Sequence, residues 1–460
     1  MSSLHIIERL PEIISSGKKK AEEVLNRSKD DSLYNGQIFF PESNQGDSWI
    51  NQFYQGDNLL VMGKLIKEGY KGKLDLIYID PPFLTKTKHN GKINIVAQDK
   101  EYTFELFAYD DTWEEGLYSY LKMIYPRLYL MRELLSDRGT IYVHLDYRTV
   151  HYVRILMDEI FGEENFMNEI IWAYKSGGVS KRYYSRKHDN ILVYTKTKDY
   201  IFNPQQEKSY NRDFKPYKFK GVKEYQDEIG WYTLVNLKDV WQIDMVGRTS
   251  RERVNYASQK PEALMERIIL TSTDENSIVA DFFAGSGTTG IVAERLNRRW
   301  IMSDKGDLSS ITIHKRLLEN ASKPFYSFKE NNRARDGGKL LIKGEYIDNK
   351  TLKIHLERYV VDIDISIKKK YRQQMEELID NSSLSLIEFI GIDLDFDGKI
   401  PLLRKQYTRD SNKALDSNMA IEGNIKEGQK ILVAYKDVFG KGNYDLYQIS
   451  QGRLILCQEY

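Results

Sequence analysis

The chain has 460 residues, 68 Lys+Arg against 67 Asp+Glu, 41% hydrophobic and 29% charged residues, and one cysteine, Cys457. Such a length accommodates two or three domains at roughly 100–200 residues each, and the composition excludes a disordered chain. A lone cysteine excludes a disulfide framework and Cys-rich zinc sites; with no apolar signal core and no run of about 18 uncharged apolar residues, the chain reads as cytoplasmic, with no membrane partner.

In chain order, Leu4, Ile7, Leu10 and Ile14 recur at helical spacing, predicting an exposed helical arm within residues 1–47. From 48 to 325 short apolar runs alternate with amphipathic stretches. Strands are predicted at 74–79, 139–145, 191–194 and 277–282, and helices at 118–135 (interrupted by Pro126), 265–272, 290–296 and 308–320. Alternation of this kind predicts an α/β domain with a doubly wound, mainly parallel sheet. Residues 173–256, rich in Lys, Arg, Tyr, Asn and Gly, break the rhythm and read as an insertion. Beyond 325 the chain reads as a β-rich or α+β domain: 352–367 alternates strongly, 368–378 is a charged helix, and short strands with Gly/Asp/Asn turns follow. Asp393, Asp395, Asp397 and Gly398 superficially suggest a calcium loop. They lack its remaining ligands and closing Glu, and are read as a strand and turn.

Two segments carry chemistry. The first is Asp80-Pro81-Pro82-Phe83, directly after an apolar strand. Its prolines hold the backbone extended, so that the Asp80 carboxylate and the Pro81 carbonyl stand as two fixed acceptors. Such a pair can grip an exocyclic amino group and stabilise the positive charge that develops as its nitrogen attacks an electrophile, while Phe83 offers a face for an extruded base. The second is the segment from Asp281 to Gly290, with Phe283, Ala284, Gly285, Ser286, Gly287 and Thr288, between a strand and a helix. Its glycines allow a tight turn, and the helix N-terminus favours an anionic group. It is read as distinct from the dinucleotide-binding G-x-G-x-x-G fingerprint, and no Gly-Lys-Ser/Thr follows to make it a P-loop. A second short strand then ends at Asp304, an acid placed to accept hydrogen bonds from ribose hydroxyls.

On these segments, together with 55–58, 125–128, 161–166, 239–243 and 258–261, the chain resembles amino-directed DNA methyltransferases of the permuted β class. It is most similar to adenine-specific enzymes akin to the modification subunits of type III restriction–modification systems. The resemblance covers about 49–320 and implies a Rossmann-like class I methyltransferase fold with S-adenosyl-L-methionine as cofactor and no metal. It makes Asp80, Pro81, Pro82 and Phe83 the catalytic tetrapeptide, and gives Phe283, Gly285 and Gly287 the methionine side of the cofactor pocket. Asp304 would hold the ribose, Asp57 would sit near the cofactor's adenine ring, and Lys260-Pro261 would open a helix near its carboxylate. Phe83 stands where Tyr is more usual, and Ser258 replaces a common Thr; both changes are mild. The implied reaction is direct methyl transfer to adenine N6 in double-stranded DNA, with base flipping. A C5-cytosine enzyme would need an active-site thiolate, and Cys457 lies far outside the catalytic region. Alternatives are cytosine-N4 methylation, or a non-catalytic DNA-recognition subunit that keeps the fold. The resemblance also allows a homodimer and a separate restriction subunit as partners.

Near-neutral net charge conceals asymmetry. Residues 171–260 carry 18 Lys/Arg against 10 Asp/Glu, whereas 101–170 carry 6 against 14. Lys175, Lys181, Arg182, Arg186 and Lys187 interleave with Tyr183 and neighbouring tyrosines, and Arg248, Arg251 and Arg253 follow. Basic groups among aromatics suit phosphate contact with base stacking, making these the candidate DNA-binding residues of a target-recognition region.

Overall fold

The computed structural model describes residues 5–27, 34–39, 49–320, 322–330, 337–348, 350–361, 369–410 and 413–459. Leu4 and positions 362–368 of the predicted alternating strand and charged helix lie outside them.

An 11-stranded sheet organises the catalytic part. Its centre is parallel, in the order Leu135–Leu145, Leu74–Ile79, Ile278–Asp281, Arg299–Asp304, Asn51–Gln55 and Phe325–Glu330. Alternate residues of each strand feed opposite cores. Ile77, Ile79, Ile141 and Val143 pack against helices Asn58–Leu65, Leu117–Leu134 and Val150–Phe161. Leu76, Tyr78, Tyr142 and Val279 pack against Glu262–Ser272, Thr288–Arg295 and Asp307–Glu319. Burial on both faces explains why LDLIYI is almost continuously apolar.

Several boundaries differ from the expectation. Helix Ile6–Asn26 is docked rather than an exposed arm: Ile13, Gly17, Ala21 and Val24 are buried against the Leu117–Leu134 and Asn58–Leu65 helices. The stripe is narrow because Gly17 lies where any side chain would clash, its added Cβ falling 2.3 Å from Tyr125 Cδ1. Tyr125 cannot retreat, being fully buried with its hydroxyl donating to Glu159 Oε2 at 2.5 Å. Gly17→Leu is therefore expected to cost about 1–3 kcal/mol of stability; a thermal unfolding midpoint equal to wild type would show that the helix is not docked. Pro126 does not interrupt its helix, which runs unbroken over Leu117–Leu134. The lost backbone bond costs about 3 kcal/mol, offset by the packing of helices on both sides of it.

The proposed insertion divides in two. Phe166–Ala173 and His188–Thr195 form an antiparallel hairpin within the main sheet, bordered by Val240–Gln242. What projects is the 174–187 loop and a small sheet of Gln206–Tyr210, Trp231–Asn236 and Glu224–Gln226. Phe325–Glu330, Tyr34–Phe39 and Leu402–Leu403 extend the main sheet, so the first domain draws on residues at both ends of the chain.

The C-terminal part is an 8-stranded antiparallel sheet with helix Arg372–Ser382. Its core also takes in Ile95, Tyr102 and Phe104 from a long hairpin, Lys88–Ala97 and Lys100–Asp110, that leaves the main domain just after Phe83. The Asp393 and Asp397 carboxylates accept backbone N–H groups of Asp395, Leu402 and Lys399 and so hold a turn. Among the described residues no helix is long and apolar enough to cross a membrane.

Candidate active site

Strands Leu74–Ile79 and Ile278–Asp281 lie side by side, Leu76 opposite Val279 and Tyr78 opposite Asp281. From the first the chain passes to a helix on one face, and from the second to a helix on the other. A crevice opens at the carboxyl ends of neighbouring strands at such a switch point. Here it is a cavity of about 870 Å³, within the roughly 300–1,000 Å³ typical of small-molecule sites.

Of the predicted residues, Asp57, Asp80, Pro81, Pro82, Phe83, Lys260, Asp281, Phe283, Ala284, Gly285, Ser286, Thr288 and Asp304 line this cavity. Pro261 and Gly287 act through the backbone behind it, at the N-termini of helices Glu262–Ser272 and Thr288–Arg295. Two segments two hundred residues apart in the chain thus share one wall-to-wall space.

On the tetrapeptide side, Asp80 Oδ2 pairs with the Lys260 ammonium, while Oδ1 is buried without a hydrogen-bond partner. Lys260, expected at a cofactor carboxylate, is thus held on Asp80. Its Nζ also stands 5.3 Å from the Phe83 ring centroid. Phe83 is backed by His144, with ring centroids 5.7 Å apart and planes at 32°. His144 is itself fixed between the Tyr78 hydroxyl (2.8 Å) and Asp189 (3.3 Å).

On the glycine side, Gly285 (φ 52°) and Gly287 (φ 77°) occupy the left-handed region that favours glycine. An added Cβ at Gly285 would lie 3.3 Å from Tyr256 Cε1, and one at Gly287 2.7 Å from Ile313 Cγ1. The Asp304 carboxylate accepts the Gly285 and Gly306 amides, each at 2.8 Å, locking the loop to the neighbouring strand. Gly290 corrects the expectation that this loop differs from G-x-G-x-x-G. It stands in the third glycine position, and its added Cβ would lie 2.3 Å from Met302 Cε. It permits the close helix–strand approach that the third glycine serves in dinucleotide folds. What sets this site apart is the neighbouring tetrapeptide, not the glycine spacing.

Burial pushes the Asp281 carboxyl up to about 7, against hydrogen bonds from the Thr289 hydroxyl (2.6 Å) and the Phe283 amide (2.9 Å). Its ordinary value is 3.8, so between about pH 4 and 7 this carboxyl holds its proton more in the folded chain than in the unfolded one, and it pulls stability down as pH rises. Asp281→Asn is expected to make that slope shallower in urea titrations across this range. It should not abolish it, because burial pushes Asp437 up to about 7 as well. An unchanged slope would contradict the assignment.

Several lining residues escaped sequence reasoning. Asp111, fully buried, accepts the Leu84 amide (2.9 Å) and the Thr85 amide (2.7 Å) and hydroxyl (2.6 Å), clamping the backbone just after the tetrapeptide. Arg127 donates to Asp57 Oδ1 (2.9 Å) and Asn58 Oδ1 (2.6 Å), while Asp57 also caps the Asn58–Leu65 helix. Tyr109, Tyr256, Leu308 and Phe439 are among the other residues that line it. Of these, Arg127 lies within a segment, 125–128, that carries the resemblance.

The family described as DNA methylase matches residues 74–309, just over half of the chain. The chain belongs to this family. This DNA methylase is 30% identical over 327 residues to the type II methyltransferase M.EcaI of Enterobacter cloacae, covering 58% of this chain and 69% of that protein. It is 28% identical to M.HpaI of Haemophilus parainfluenzae, covering 71% and 96%. It is 27% identical to the DNA adenine methyltransferase YhdJ of Escherichia coli, covering 54% and 75%.

The candidate DNA-binding residues of the methylase separate into two groups. Lys175, Lys181, Arg182, Tyr183, Arg186, Arg248, Arg251 and Arg253 are exposed. Arg186 stacks over Tyr147 (4.0 Å) and lies 5.0 Å from the Tyr183 centroid. Tyr147 follows the carboxyl end of strand Leu135–Leu145, which places this cluster at the cavity end of the sheet. Lys187 is different. Its ammonium donates to the carbonyls of Ser176 (2.6 Å), Gly177 (2.9 Å) and Gly178 (3.1 Å) and serves as a strut for the 174–187 loop.

Proposed function

We propose that this DNA methylase transfers the methyl group of S-adenosyl-L-methionine to the N6 amino group of adenine in double-stranded DNA, as the modification component of a restriction–modification system with a separate restriction subunit. The observation that carries this reading is the buried, unpartnered Oδ1 of Asp80, a residue that lines the same cavity as the glycine loop. Buried acceptors are rarely left unsatisfied, and an amino N–H brought into the cavity supplies the missing donor. The residues fit the cofactor: Gly285 leaves a cradle beside Tyr256 that a side chain would fill, with Asp304 beneath it. When bound, S-adenosyl-L-methionine supplies an electrophilic methyl group on a sulfonium.

Asp80 Oδ1 and the Pro81 carbonyl orient the amino nitrogen, and the carboxylate stabilises the charge that develops on it. The product nitrogen must then shed one proton, and Oδ1 is placed to take it. Phe83, buttressed by His144, provides the stacking face for a base turned out of the duplex, since the reacting atom is unreachable inside it. Lys175, Lys181, Arg182, Arg186, Arg248, Arg251 and Arg253 hold phosphates. Lys260 would hold the cofactor carboxylate and, on leaving Asp80, would free the acid. Incubating the protein with methyl-labelled S-adenosyl-L-methionine and unmethylated genomic DNA should give label in DNA; cofactor binding without any transfer would contradict this function.

A further inference from the structure

The match to the methylase family ends at residue 309, and nothing in the sequence of the C-terminal domain pointed to chemistry. Yet this domain reaches the cavity. Its turn between strands Lys430–Asp437 and Gly442–Ser450 places Phe439 and Lys441 in the cavity wall. Asp437 builds that turn by accepting the Phe439 and Lys441 amides, each at 2.9 Å, and the Tyr359 hydroxyl at 3.0 Å. Gly440 (φ 79°) meets the start of helix Asp307–Glu319 so closely that an added Cβ would lie 2.4 Å from the Asp307 carbonyl oxygen. Lys441 Nζ pairs with Asp307 Oδ2 at 2.9 Å, and Asp307 Oδ1 accepts Gln55 Nε2 at 2.7 Å. Asp307 stands three residues after Asp304, the acid that ties down the glycine loop. Phe439 packs against the cluster of Leu106, Ala108, Tyr256 and Leu308 that roofs the same space.

We infer that the C-terminal domain is a working part of the cofactor site: Phe439 forms a wall of the S-adenosyl-L-methionine pocket, and the Lys441–Asp307 pair latches that wall in place. This rests on the cavity being the cofactor site. A domain serving only as a tether would grip the outer flank of helix Asp307–Glu319, as Lys436 does through Ser310 (2.9 Å). It would have no need to present an aromatic ring to the cavity. Phe439 and Lys441 are positioning residues for the nucleoside end of the cofactor, near Asp304, rather than for the amino-gripping tetrapeptide.

Calorimetric titration of the full-length protein with S-adenosyl-L-methionine tests this, with DNA affinity measured separately without cofactor. Phe439→Ala is expected to weaken cofactor affinity about tenfold or more, and Lys441→Met about threefold. Both should raise the KM for the cofactor more than they lower kcat, and leave DNA affinity within about twofold. Lys399→Ala, on an exposed turn of the same domain, should bind the cofactor like wild type. Circular dichroism of both variants checks that they fold; Lys441→Met removes the ion pair with Asp307 without emptying the cavity wall of an aromatic ring, and keeps the test decisive if Phe439→Ala does not fold. Wild-type cofactor affinity in folded Phe439→Ala or in Lys441→Met would overturn the inference alone. A wild-type protein that binds no S-adenosyl-L-methionine would overturn the functional reading with it.

Discussion

Asp80→Ala is expected to lower methyl transfer by about three orders of magnitude or more while cofactor binding is retained. The asymmetry follows from what the two carboxylate oxygens touch. Oδ2 is held by Lys260, and Oδ1 is buried with no donor. An oxygen of this kind has nothing to bond until an amino group arrives, so its contribution falls on the reacting substrate and not on the cofactor. Alanine removes the hydrogen bond that orients the nitrogen, the charge that stabilises it during attack, and the acceptor for its departing proton. Asp80→Asn keeps one carbonyl acceptor but loses the charge, and is expected to retain more turnover than alanine. Single-turnover methylation assays with saturating cofactor make the comparison. Retained turnover in Asp80→Ala would show that the active site has been placed wrongly.

The second large effect lies across the cavity. Asp304→Ala is expected to weaken S-adenosyl-L-methionine binding about a hundredfold or more, roughly 3 kcal/mol, with DNA affinity little changed. Both carboxylate oxygens accept backbone N–H groups, from Gly285 and Gly306. Burial raises the carboxyl above its ordinary range, against those same bonds. Removing the side chain therefore does two things at once. It takes away an acceptor for ribose hydroxyls, and it strands two amides whose bonding shapes the glycine loop. Asp304→Asn preserves the volume and one acceptor and should fall between. Calorimetric affinities equal to wild type in Asp304→Ala would reduce this residue to a loop tie with no part in binding.

Both acids could be found in the sequence because each ends an apolar strand buried on both faces, where pattern is strongest. The tetrapeptide and the glycine loop were legible for the same reason, since proline and glycine there serve local backbone needs. What stayed hidden depends on distance along the chain. Asp111 clamps the loop after Phe83 only because the hairpin Lys88–Ala97 and Lys100–Asp110 returns to its own base. Lys260 reaches Asp80 across 180 positions. The docking of helix Ile6–Asn26 left a weak signal, as one of its four buried positions is Gly17, packed against Tyr125, and not a large apolar side chain. Lys187 looked like its basic neighbours because composition does not distinguish an ammonium facing phosphate from one bonded to its own loop carbonyls. The entry of Phe439 into the cavity could not be read from a segment whose pattern is simply that of a strand and turn.

The central claim, that this cavity places a methyl group on adenine N6, is tested most directly by nucleoside mass spectrometry. The DNA would be plasmid from a host lacking its own DNA methyltransferases, expressing either the wild type or Asp80→Ala. N6-methyladenine in the wild-type DNA and its absence with Asp80→Ala is the predicted result. N4-methylcytosine without N6-methyladenine, or equal methylation by both proteins, would contradict it.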